Sequence, residues 1–151
     1  MKTFKISFLA LISLCVGIVM GGYLFSQSQP RSFLAINRCQ NCLTHEDLLG
    51  LLASVGIQKF SGLMPFKVLE TEKTVVIKHP FSSDQVHYVI IPKKDIKNIG
   101  EISETDAPYL TDAFFVAKWI IEREKLSKYR IYTNGDGSQD VTYLHFHLVV
   151  E

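Results

Sequence analysis

The stretch from Gln139 to Val150, QDVTYLHFHLVV, constrains this chain more than any other. Its polarity alternates with a period of two, the pattern of an extended strand lying on a core. Val141, Tyr143, His145, His147 and Val149 share one face. Thr142, Leu144, Phe146, Leu148 and Val150 share the other, which is apolar enough to be buried. The spacing sets two imidazoles side by side, roughly 7 Å apart along the strand at the usual rise per residue. Such a pair suits attack on phosphorus. One neutral imidazole acts as a nucleophile, while its neighbour binds or protonates the oxygens around the reacting centre. Two unrelated histidines on a half-exposed strand would give the same pattern, so the neighbouring residues have to decide.

Those neighbours carry a resemblance. Gln139-x-Val141-x-Tyr143-x-His145-x-His147-x-Val149, preceded by the Gly-rich NGDGS of residues 134–138, resembles the signature of the histidine-triad (HIT) family. That signature is Gln-x-Val-x-His-x-His-x-His with apolar residues between. Upstream, HYVIIPKK from His87 to Lys94 resembles the family's His-x-Leu-Val-x-Pro-Lys strand, and a long helical segment lies between the two motifs. The resemblance spans residues 66–151. It implies an α+β fold, an antiparallel sheet of about five strands with packed helices, and a nucleotide hydrolase or nucleotidyl transferase that needs no cofactor.

By the same resemblance, His145 matches the nucleophile, His147 the third triad histidine and His87 the upstream active-site histidine. Asn134 and Gln139 match polar residues that hold phosphate or substrate oxygens. Eight positions before the matching histidine the family carries an acidic or amide residue for ribose hydroxyls. Here that position is His79, which offers one donor and one acceptor rather than a carboxylate. His79 is equally readable as a surface residue before Pro80. Tyr143 stands where the first triad histidine belongs. A phenol that ionises at about pH 10 cannot exchange protons at neutral pH, though it can still donate a hydrogen bond to substrate. Two functions therefore stay open: an enzyme, or a HIT-like nucleotide- or phosphate-binding module that no longer turns over.

The remainder of the chain frames this domain. Lys2 and Lys5 precede an uncharged run from Ile6 to Phe25, long enough to cross a bilayer as a helix. Ser26-Gln27-Ser28 offers a cleavage site, so residues 1–25 read as a membrane anchor or a signal segment. The flanking charges lean towards an N-terminus inside, which places the domain on the outer side of the membrane. Residues 26–43 form a linker containing Cys39-x-x-Cys42, a disulfide, a redox pair or half of a zinc site.

Residues 44–65 read as a helical embellishment. Thr44 is its N-cap, Gly56 lies past its end, and Leu48, Leu49, Leu51, Leu52 and Val55 form its buried face. Two strands joined at residues 70–73 follow. A helix then runs from residue 109 to about 127, with Leu110, Ala113, Phe114, Ala117, Ile120, Ile121 and Leu126 facing the sheet and Phe115 and Trp119 extending that stripe. Residues 129–133 form the next strand. The Gly-rich loop after it can turn backbone amides towards an anion. A net charge of +1 gives no electrostatic case for nucleic acid. The expected partners are a nucleotide or nucleotide conjugate and the membrane, with a homodimer as a further option.

Overall fold

The computed structural model describes residues 2–30 and 44–150, with residues 2–6 as backbone alone. Helix α1 (Lys2–Phe25) precedes α2 (His45–Lys59). Strands β1 (Lys67–Glu70), β2 (Thr74–Lys78) and β3 (Val86–Pro92) come next, then α3 (Ala107–Glu124), β4 (Tyr129–Tyr132) and β5 (Phe146–Val150). The strands form one sheet in the order β1-β2-β3-β5-β4, each neighbouring pair antiparallel. This is the α+β architecture expected from the sequence.

Strand β3, VHYVIIP, is apolar on both faces, which suits a central strand covered above and below. On one side, Ala113, Val116, Ala117 and Ile120 of α3 pack on Ile90, Phe146 and Leu148. On the other, Ile57 of α2 packs with Val89, Ile91 and Tyr143. Burying each of the larger aliphatic side chains contributes about 1.5–3 kcal/mol, so this two-sided core holds the middle of the sheet. The helix α3 starts where expected. Ser103 and Asp106 cap the short turn ahead of it reciprocally, and Lys94 pairs with Asp106 at 2.5 Å. It ends earlier than expected, at Glu124, because Lys125 takes a left-handed conformation (φ 53°) that no α-helix continues through.

Three expectations from the pattern need correction. The final strand begins at Phe146, not Gln139. Between these residues the chain bends: Tyr143 N–H donates to the Val141 carbonyl at 2.7 Å, closing a tight turn. Thr142 N–H goes to the Glu46 carbonyl and Leu144 N–H to the Ile96 carbonyl, so these donors are satisfied off the sheet. Burial alternates only from Leu144 to Leu148, since Gln139, Tyr143 and Val149 of the other face are buried as well.

Helix α2 runs through Gly56 and shows its leucines to the outside. Leu48, Leu49 and Leu52 are exposed, while Asp47, Gly50, Ser54 and Ile57 are buried. Polar anchoring chooses this face. Thr142 Oγ1 donates to Asp47 Oδ1 at 3.0 Å, and Ser28 and Ser54 hydroxyls meet at 2.8 Å. Gly50 lets the helix come close, since a Cβ there would stand 2.7 Å from the Thr142 carbonyl oxygen. On α3, Phe115 and Trp119 are exposed rather than buried, and Arg123 lies over the Trp119 ring at 4.8 Å.

Among the described residues, one stretch, Ser7–Phe25 within α1, is long and apolar enough to cross a membrane, a test that a signal sequence also passes. Its end is tied to the domain. Lys59 Nζ lies 4.5 Å above the Tyr23 ring, and Gln29 N–H donates to Asp95 Oδ2 at 2.8 Å.

Candidate active site

Four imidazoles form a continuous chain across the middle of the sheet. His79, in the loop after β2, stacks on His87 of β3 with centroids 4.4 Å apart. His87 meets His147 of β5 at 5.1 Å, and His147 meets His145 at 4.8 Å, both edge to face. The separation of the last two is smaller than an extended strand would give, because His145 lies in the bent segment before β5. The sheet register explains the rest: β5 lies between β3 and β4, with Val89 and Tyr132 opposite His147. Tyr132 then stacks on the His147 ring at 4.8 Å.

Hydrogen-bond partners determine which nitrogen of each ring holds the proton. His145 Nδ1 stands 2.7 Å from the Tyr143 carbonyl oxygen, which only accepts. The proton is therefore on Nδ1, and the lone pair is on Nε2. His87 Nδ1 faces the Ser82 hydroxyl at 2.8 Å and the Asp84 carboxylate at 3.2 Å. The Ser82 hydroxyl spends its proton on Asp84 Oδ2 at 2.7 Å and so accepts from His87, which donates from Nδ1 and carries its lone pair on Nε2. That nitrogen lies 2.9 Å from His147 Nδ1, which donates in turn. His147 Nε2 is then left with a lone pair, buried and with no hydrogen-bond partner among the described residues.

Burial holds this chain neutral. Desolvation pushes His145 and His87 below the ordinary imidazole range. It pushes His147 to about 4, helped by the neighbouring His145, His87 and His79. Neutral rings are what a nitrogen nucleophile and its partner base require at pH 7.

The other expected residues fall in different places. Tyr143 is buried, and its hydroxyl donates to the Pro92 carbonyl at 3.0 Å. Its backbone carbonyl orients His145, a contact any residue at that position could make. Gln139 is buried, with its Nε2 lacking a partner among the described residues. Asn134 is half-buried in the loop after β4. In that loop Gly137 takes φ 74°, and Ser138 N–H is committed to the Gly135 carbonyl at 3.0 Å. His79 Nδ1 accepts the Phe81 N–H at 3.3 Å. Cys39 and Cys42 lie outside the described residues, and no group of three metal-ligating side chains occurs among those described.

Two features were missed from the sequence. One is the Ser82 and Asp84 pair behind His87, whose only sequence signal is a polar turn just ahead of β3. The other is a cavity of about 270 Å³ beside His145, walled by Ala53 and Ile57 of α2 with Met64, Ile77 and Ile91. Helix α2 is therefore part of the site as well as an embellishment.

Comparison with known proteins identifies the family of the chain. The family model described as scavenger mRNA decapping enzyme C-term binding matches residues 64–151, more than half the chain. A HIT-like protein of Chlamydia trachomatis is 35% identical over 86 residues, which span 55% of this chain and 78% of that protein. The chain belongs to the histidine-triad superfamily. Adenosine 5'-monophosphoramidase HNT1 of Saccharomyces cerevisiae is 30% identical over 91 residues, 59% of this chain and 56% of the yeast protein. A solved HIT family hydrolase of Clostridium thermocellum superposes with a TM-score of 0.57 at 30% identity, covering 76% of this chain and 93% of that one. The HIT domain thus places this chain among hydrolase-type relatives.

The lowered imidazoles predict a pH dependence of stability. The unfolded chain binds protons at these histidines from about 6.5 downwards, while the folded chain resists until about 4 at His147. Stability should therefore fall as pH drops from 6.5 towards 4. Glu70, held down to about 2 by Lys67, Lys93 and Ser61, loses its contribution only below 4.5. The urea midpoint should decline between pH 6.5 and 4, and His147→Gln should reduce that slope. A midpoint that stays flat across this window would contradict the buried neutral chain.

Proposed function

We propose that this chain is a membrane-anchored hydrolase or nucleotidyl transferase acting on nucleotides or nucleotide conjugates, with His145 as the nucleophile on phosphorus. The observation that carries this reading is the His145 Nδ1–Tyr143 carbonyl contact at 2.7 Å, which leaves the Nε2 lone pair available. Attack forms a phosphorus–nitrogen bond as the bond to the leaving group breaks. Imidazole is itself a good leaving group, so water or another acceptor can release the product. Gln139, whose Nε2 has no acceptor among the described residues, and Asn134 are assigned to substrate oxygens. The apolar cavity beside His145 is assigned to the substituent carried by phosphorus.

The second reading, a binding module without turnover, draws on Tyr143. Its hydroxyl bonds a backbone carbonyl inside the core, so it supplies no acid–base group to the site. We favour the enzyme because a carbonyl fixes His145 with its Nε2 lone pair available, and His147 Nε2 has no hydrogen-bond partner among the described residues.

A panel of nucleotide phosphoramidates, dinucleoside polyphosphates and nucleotide-diphosphate lipids tests the choice. His145→Ala should abolish turnover, and His147→Ala should slow it by roughly 10²- to 10⁴-fold, the usual contribution of a positioned acid–base group. Equal rates for His145→Ala and the wild type would overturn the assignment.

The anchor reading rests on the Ser7–Phe25 stretch and the charges flanking it, with the domain on the outer side. Full-length protein should pellet with membranes and resist a high-salt wash. Recovery of the full-length chain mainly in the soluble fraction would rule the anchor out.

A further inference from the structure

We propose that Asp84 is a positioning residue which, through His87, makes His147 the base that activates water in the second half of the reaction. This rests on the hydrolase reading above. It extends it to a residue outside the conspicuous histidine strand.

The geometry is a relay of three side chains. Asp84 Oδ2 lies 3.2 Å from His87 Nδ1, and His87 Nε2 lies 2.9 Å from His147 Nδ1. Ser82 steadies the first link, since its hydroxyl is 2.7 Å from Asp84 Oδ2 and 2.8 Å from His87 Nδ1. The Asp84 N–H donates back to the Ser82 hydroxyl at 3.1 Å, closing a compact turn that sets the carboxylate before β3 begins. The relay ends at His147 Nε2, buried and without a hydrogen-bond partner among the described residues. A buried polar atom left unpaired is costly, and a substrate or water oxygen would recover that cost.

With His145 Nε2 bonded to phosphorus and its Nδ1–H still on the Tyr143 carbonyl, the ring is cationic. Water attacks phosphorus, the phosphorus–nitrogen bond breaks, and its electron pair returns to His145 Nε2. The proton released by water passes to His147 Nε2. The new imidazolium is hydrogen-bonded to His87, which lies 3.2 Å from the Asp84 carboxylate, and that negative charge opposes the burial that otherwise disfavours the cation. Facing His147 are His145 from the bent segment, His87 from β3, His79 from the loop before it and Tyr132 from β4. Asp140 acts on His145. Asp84 is the carboxylate that reaches this group of rings, 3.2 Å from His87 Nδ1 and hydrogen-bonded to the Ser82 hydroxyl that His87 Nδ1 also contacts.

Nitrogen-15 NMR of the histidine side chains in the full-length protein reads the relay without any substrate. In the wild type, His87 and His147 should both be protonated on Nδ1 at neutral pH, with His147 Nε2 bare. Asp84→Asn keeps the shape but removes the charge, and should disturb the His87 tautomer and make His147 harder to protonate. Asp84→Glu should restore part of both. A proton on Nε2 of His147 in the wild type, or unchanged tautomers and titration in Asp84→Asn, would overturn the relay.

With any substrate of the panel that is turned over, Asp84→Asn should lower kcat by roughly 10- to 100-fold, as loss of a carboxylate behind a working histidine does at other sites. The first turnover should be retained, because the relay serves the release step. A loss confined to the first turnover would also contradict it. Absence of turnover across the whole panel would sink the hydrolase reading, while the NMR result would still decide the relay.

Discussion

A carbonyl oxygen can only accept a hydrogen bond, and the Tyr143 carbonyl lies 2.7 Å from His145 Nδ1. The tautomer of His145 follows from that contact, and with it the atom that can attack. The contact in turn depends on where the Tyr143 backbone sits. The side chain of Tyr143 is buried with its hydroxyl on the Pro92 carbonyl, at the end of β3. The neighbouring Thr142 is bonded to Glu46 and Asp47 at the start of α2. His145, the nucleophile we propose, is thus held by a bent segment pinned between the end of a central strand and the cap of a helix. Each pin is a hydrogen bond between groups with little access to water, where breaking one leaves an unpaired polar atom.

This arrangement gives the tyrosine a role other than the one its position in the motif suggests. An imidazole at residue 143 could exchange protons. The phenol instead fastens the loop whose carbonyl orients the next histidine. In the mechanism we propose, proton handling then falls to rings that the sheet brings together: His147 from β5, His87 from β3, and the Asp84 turn behind it. These residues lie about 60 positions apart in sequence and meet because β3 and β5 are neighbours in antiparallel register. The cavity beside His145 is assembled the same way, with α2 closing over the sheet.

Much of the fold could be read from the sequence because its periodicities are strong. The strand motif from His87 to Pro92, the alternation from His145 to Leu148 and the break at residues 70–73 all reflect local rules that the tertiary structure kept. The bend at residues 139–145 was not legible, since a chain satisfying its amides on Glu46 and Ile96 shows the same alternation as a strand. The buried face of α2 was misread because apolar periodicity points to the leucines, whereas Gly50 and the polar residues Asp47 and Ser54 make the close contacts. In the site, the motif led to His87, His145 and His147. It could not lead to Asp84 or Ser82, which gain meaning only from their distance to His87.

The central claim is that His145 Nε2 bonds covalently to phosphorus. The most direct test is a rapid acid-free quench of the wild-type protein with a phosphorus-labelled nucleotide conjugate, followed by peptide mapping under alkaline conditions that preserve phosphohistidine. The account predicts label on the peptide containing His145, appearing within one turnover and discharged as product forms. Product formation with no labelled histidine at any time, or label on His147 instead, would contradict it.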